Sequence, residues 1–192
     1  RQMCIRDRYK MYKENNVEIE KNIAILMLSA IISDTLLFKS PTCTKEDIKV
    51  AEELNKIANI NIQEYGLDML KAGTDVSDLS ADELIGLDAK EVTIGNYKTI
   101  IAQVNTASIP DMLKRKEELE ISINKKIEEK GLDLFFLAIT DIINSNSQVI
   151  ALGKDAKLVE KSYNVTLEEN TAFLPGIVSR KKQIIPVLTQ NA

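Results

Sequence analysis

Leu134-Phe135-Phe136-Leu137-Ala138-Ile139-Thr140 is an unbroken apolar run of strand length, rich in aromatic and branched side chains. Such a run reads as a buried strand. It follows a long helical pattern from about Pro110 to Lys130, where Met112, Leu119, Ile123 and Ile127 share one face. The Lys114-Arg115-Lys116-Glu117-Glu118 block on the other face reads as solvated surface. On either side lie strand-like Glu91 to Ile94 and Thr99 to Val104, strand-like Val149 to Leu152, a helix over Ala156 to Tyr163, and a final extended segment over Ile184 to Leu188. Repeated switching between the two periodicities predicts an α/β domain over residues 81–192.

The preceding sequence is helical from Met11 to about Gly73. The run Ile23 to Ile32 reads as a buried helix. Lys45 to Asn59 carries Ile48, Ala51, Leu54 and Ala58 on one face, and Thr44 with Asp47 three residues on forms its cap. A third helix, about Ile62 to Ala72, stops at Gly73. Between the first two, Ser33 to Thr44 reads as a loop in which Pro41 bars helix continuation. The polar, turn-rich stretch 74–80 is expected to be a linker. Residues Arg1 to Arg8 show no helical or alternating pattern, resemble a translated sequencing adaptor, and are expected to be foreign to the protein.

Bulk properties narrow the function classes. The 192 residues are 44% hydrophobic and 28% charged, enough apolar surface for a sizeable core. A net charge of -4 and a pI near 5.1 give no global positive field for nucleic acid, so phosphate recognition has to be local. The longest apolar run is far short of the ~20 residues of a membrane span. Cys4 and Cys43 stand far apart, which fits neither a disulfide scaffold nor a zinc site and suits a reducing cytoplasm. There is no histidine, so any hydrolytic mechanism takes its imidazoles from outside this sequence.

Three adjacent cations in Ser179-Arg180-Lys181-Lys182-Gln183 are the main chemical feature, and no acid follows Glu169. A guanidinium fork and a neighbouring ammonium can grip a diphosphate without a Gly-rich loop. An ordinary basic turn or a charged sheet edge is the alternative. Asp34 ends the apolar helix and must be solvated, hydrogen-bonded or bound to a cation; capping the following turn is its simplest role. Lys90 and Asn105 are further candidates, set against a surface lysine and a turn asparagine.

The segment Leu28 to Thr42, Leu87-Asp88-Ala89-Lys90-Glu91, Gln103-Val104-Asn105-Thr106 and Ser179-Arg180-Lys181-Lys182-Gln183, in that order, resemble the family II inorganic pyrophosphatases of the DHH phosphoesterase superfamily. The resemblance implies a mixed-sheet α/β DHH-associated domain over 81–192, preceded by the last helices of a DHH catalytic domain over 9–73. It implies hydrolysis of pyrophosphate by a metal-bridging hydroxide, with Mn²⁺ (or Co²⁺ or Mg²⁺) held mostly by residues upstream of Met11. Asp34 matches a metal-ligating aspartate, and Lys90, Arg180 and Lys181 match positions that bind pyrophosphate oxygens. The same resemblance implies a cytoplasmic homodimer paired through the N-terminal domain, and a chain inactive when alone. A related exopolyphosphatase or phosphoesterase, or a stand-alone phosphate-binding domain, is the other reading.

Overall fold

Four helices arise from the N-terminal sequence: α1 (Ile5–Glu14), α2 (Lys21–Thr35), α3 (Lys45–Ala58) and α4 (Ile62–Ala72). They belong to a computed structural model that describes residues 5–192, in which the chain forms two units divided between Gly73 and Thr74. Of Arg1 to Arg8, which show no helical pattern in sequence, Ile5 to Arg8 open α1, and residues 1–4 lie outside the described residues. α1 is held by Tyr9, which is buried and donates its hydroxyl to Glu53 on α3. Burial, with the Glu53 carboxylate as acceptor, pushes the Tyr9 phenol up to about 12 from its ordinary 10.0.

α2 and α3 bury Leu28, Ile31, Ile32, Val50, Ala51, Leu54 and Ala58 between them. Ile48, expected on the inner face, is exposed, and Val50 takes its place. Helix spacing allows either residue; packing chooses. The expected cap of α3 forms, because Thr44 Oγ1 accepts from Asp47 N while Asp47 Oδ2 accepts from Thr44 N at 2.9 Å.

α2 runs to Thr35, so Ser33, Asp34 and Thr35 are helical rather than part of the loop. Asp34 does not cap the turn that follows. Thr35 does, its Oγ1 accepting from Phe38 N at 3.2 Å and its carbonyl from Ser40 N at 2.8 Å. Leu36, Leu37 and Phe38 all take positive φ, at a cost of about 1 kcal/mol or more each. Burying Leu37 offsets roughly 1.5–3 kcal/mol of this. Leu37 fits because α4 has a glycine opposite: a Cβ on Gly66 would collide with Leu37 Cδ1 and sit 3.2 Å from Ile32 Cγ2.

The second unit is a sheet sandwiched between helices. Its elements are α5 (Ala81–Gly86), β1 (Ala89–Ile94), β2 (Tyr97–Thr106), α6 (Ile109–Leu113), α7 (Lys116–Lys130), β3 (Leu134–Asp141), β4 (Asn146–Leu152), α8 (Lys157–Tyr163), β5 (Thr171–Leu174) and α9 (Ile185–Asn191). The strands lie in chain order, with β2 and β3 parallel and every other pair antiparallel, so the expected mixed α/β class is borne out. The crossover α6–α7 makes the parallel pair possible. All eight residues of β3 are buried, and Phe135 and Phe136 feed opposite faces. Phe135, Leu137 and Ile139 pack on α5, α6 and α7; Leu134, Phe136 and Ala138 pack on α8 and α9.

Two expectations are corrected here. The helix read over Pro110 to Lys130 is broken, with Arg115 leaving helical geometry to donate to Leu79 O at 2.8 Å and Val76 O at 3.5 Å. Residues 74–80 fall within the second unit, and Val76 and Leu79 pack against its core. The terminal segment read as extended is helical. Pro186 sits in the first turn of α9, where a proline costs little, and Ile184 and Leu188, four apart, are the residues buried. α5 and β5 were not foreseen.

Replacing Gly66 with valine should destabilise the first unit by about 2 kcal/mol through overpacking, read as a lower urea midpoint. The Tyr9 shift has a definite sign. A phenol whose folded pKa is raised contributes stability that is fully present below 10.0 and is lost as pH rises through about 12. Unfolding titrations between those values should show this slope, and Tyr9→Phe should flatten it.

Candidate functional site

The cations of Ser179 to Gln183 rest on a polar strip cut into an otherwise apolar sheet face. Gln103 on β2, Thr140 on β3 and Ser147 on β4 point to the same face as Ile101, Ala138 and Val149. Thr140 and Ser147 are fully buried. Their hydrogen bonds form one directed chain. Gln103 Nε2 donates to Thr140 Oγ1 at 3.0 Å, the Thr140 and Ser147 hydroxyls are 2.9 Å apart, and Ser147 Oγ donates to Ile177 O at 2.7 Å. Since Ser147 spends its proton on Ile177, Thr140 must donate to Ser147. The second Gln103 amide proton goes to Val178 O at 3.1 Å.

This chain ties the irregular segment from Gly176 to Ser179 to three strands. Gln183 then closes the segment on itself: its Oε1 accepts from Val178 N and Ser179 N, each at 3.0 Å, and its Nε2 donates to Gly176 O at 2.8 Å. Arg180 to Ile184 form one turn of π-helix, closed by Ile184 N donating to Ser179 O at 3.1 Å and leading directly into α9. The turn replaces the sheet edge that was the alternative setting for these lysines.

From this turn Arg180 reaches back to the start of β1. Its Nη2 donates to Asp88 Oδ1 at 2.7 Å and its Nη1 to Asp88 O at 2.5 Å and Ile101 O at 3.4 Å. Lys90 is the register partner of Ile101, and with Val92 and Ile94 it lies on the face covered by α8 and α9. The structure therefore brings Lys90 and Arg180 to one place. Lys181 follows on the turn and is exposed. Neither lysine has a hydrogen-bond or ion-pair partner among the described residues. Asn105 lies exposed at the end of β2, paired in register with Thr140.

Asp34, exposed on the last turn of α2, belongs to the other unit. It lines a pocket of about 180 Å³ with Ile31, Thr35, Thr42, Thr44 and Asp47. Asp47 Oδ2 is already committed to Thr44 N and Oγ1. Among the described residues no three His, Cys, Asp or Glu side chains group to hold a metal ion, so these residues do not by themselves make a metal centre.

Sequence reasoning missed Asp88, Gln103, Thr140, Ser147 and Gln183 as parts of this apparatus. Polar residues at inward positions of apolar strands were the available signal for three of them.

The second unit is a mixed-sheet α/β domain that carries Arg180 and Lys181 on a sheet-pinned turn and Lys90 on β1. Residues 67–191 match the DHHA2 domain model, and the chain belongs to that family. It is 62% identical over 180 residues to the manganese-dependent inorganic pyrophosphatase of Bacillus subtilis (strain 168), covering 94% of this chain and 58% of that protein. A Bacillus velezensis protein named a probable manganese-dependent inorganic pyrophosphatase is 63% identical with the same coverage. A crystal structure from Methanococcus jannaschii, assigned as a family II inorganic pyrophosphatase, aligns with a TM-score of 0.83 at 36% identity, over 97% of this chain and 64% of that one. The chain thus spans about 58% of the length of the curated relatives it matches. The family resemblance carried by the four sequence segments is borne out by these matches, and no described helix is long and apolar enough to cross a membrane.

Gln183→Ala should remove three bonds from the 176–183 segment and cost about 1–3 kcal/mol. Hydrogen exchange should accelerate at the Val178 and Ser179 amides while β3 amides stay protected.

Proposed function

We propose that this chain is the substrate-gripping part of a manganese-dependent inorganic pyrophosphatase, and that Lys90, Arg180 and Lys181 bind the oxygens of pyrophosphate. The observation that carries this reading is the π-turn that sets Arg180 against the start of β1 beside Lys90, while both lysines stay exposed and unpartnered among the described residues. A guanidinium gives paired donors to one phosphoryl group, and the two ammonium groups neutralise the rest of a tetra-anion. Charge developing on a leaving phosphate is stabilised by the same cations.

Asp34 is assigned as one carboxylate ligand of the manganese in the relatives' names, with the other ligands supplied by sequence outside this chain. The intact protein works in the cytoplasm, where Cys43 stays reduced, and pairs as a homodimer through its N-terminal domain. Isolated from those ligands, the chain binds pyrophosphate without turning it over.

Calorimetric titration of the chain with pyrophosphate tests the assignment. Arg180→Ala should weaken binding by about 10- to 100-fold, the value of one or two charge-assisted hydrogen bonds. Arg180→Lys should recover little of it, because an ammonium cannot replace a planar fork. Inorganic phosphate should bind more weakly than pyrophosphate. Affinity unchanged in Arg180→Ala would overturn the reading.

A further inference from the structure

The contact between Arg180 and Asp88 leaves the guanidinium divided. Of its five N–H groups, the two on Nη1 face Asp88 O and Ile101 O, and one on Nη2 faces Asp88 Oδ1. The Nε–H and the second Nη2–H have no partner among the described residues. These two lie on the same edge of the planar group, the side-on fork that accepts two oxygens of one phosphoryl group. Asp88 thus occupies the edge adjacent to the one a phosphate would take, the two sharing Nη2. The Arg180 side chain is 19% exposed, whereas that of Asp88 is 59% exposed.

We infer that Asp88 is a positioning residue for anion binding: it clamps the Nη1/Nη2 edge of Arg180 so that the Nε/Nη2 fork is presented to phosphate. The inference rests on the proposed role of Arg180 and extends it to a carboxylate that would otherwise read as a repulsive neighbour. Two contacts decide the sign. The carbonyls of Asp88 and Ile101 both hold Nη1, so they fix a point but leave the plane free to pivot; only the bond from Nη2 to Asp88 Oδ1 fixes the plane. The opposing effect is repulsion between carboxylate and ligand. Water around the largely exposed Asp88 screens it, and in the pair its charge is partly neutralised by the guanidinium itself. Orientation is the larger effect, because a rotamer-rich side chain that must be ordered at the moment of binding lowers affinity.

Titration of the full chain with pyrophosphate, across Asp88→Ala, Asp88→Asn, Arg180→Ala and the Asp88→Ala/Arg180→Ala double variant, separates the possibilities. Asp88→Ala should weaken binding about tenfold. Asp88→Asn, whose amide oxygen still accepts from Nη2, should weaken it no more than about threefold. In the Arg180→Ala background, Asp88→Ala should have no further effect. Far-ultraviolet circular dichroism and the urea midpoint should stay at the parent values in Asp88→Asn, so that its retained affinity reads the clamp rather than folding. Tighter binding in Asp88→Ala would show a competitor for Arg180 and overturn the inference, as would equal losses in the presence and absence of Arg180. If Arg180→Ala itself binds pyrophosphate like the parent, it is the assignment of Arg180 that fails.

Discussion

The hydrogen-bond chain from Gln103 through Thr140 and Ser147 to Ile177 is the constraint on which the candidate site depends. Its three side chains come from three different strands, and each lies on a face whose other residues are apolar. A buried hydroxyl without a partner costs about 1–3 kcal/mol, so these groups tolerate one arrangement of the 176–179 segment and penalise the rest. An apolar strip in the same place would bury just as much area and leave that segment free to shift. The sheet therefore gives the cation turn its address.

The first unit solves a different problem. Its α2 ends in a left-handed turn made from leucine and phenylalanine, residues that resist such geometry. The turn persists because Leu37 gains a buried seat against Gly66, and because Thr35 satisfies the amides of Phe38 and Ser40. Asp34 stands two residues before Leu36, where this turn begins. Strain of this kind concentrates where a backbone has to deliver a side chain to a set position.

Much of the fold was legible because it rests on local signals. The reciprocal cap at Thr44 and Asp47, the glycine stop after Ala72, and the apolar run of β3 each declare themselves within a few residues. Errors fell where distant residues decide the outcome. The helix breaks at Arg115, whose guanidinium is bonded to the carbonyls of Val76 and Leu79, 39 and 36 positions away, and nothing around Arg115 itself announces this. Ile184 to Leu188 fits both periodicities, and only burial of Ile184 with Leu188 against the sheet selects the helix. At the candidate site, the cations were visible as a cluster of charge. The residues that aim them were not, since Asp88 lies 92 positions from Arg180 and Gln103 lies 75 from Val178.

The π-turn at Arg180–Ile184 also bears on how this segment can change over evolution. A π turn holds one residue more than an α turn, and Ser179 and Gln183 fix both of its ends. Losing one residue would let it relax into ordinary α-helix and swing whatever follows by about 100° around the axis. Because α9 is anchored by Leu188, that rotation would fall on the cations rather than the helix. Length, as much as chemistry, is under constraint in these five residues: a substitution alters one side chain, but a single insertion or deletion would redirect the whole group.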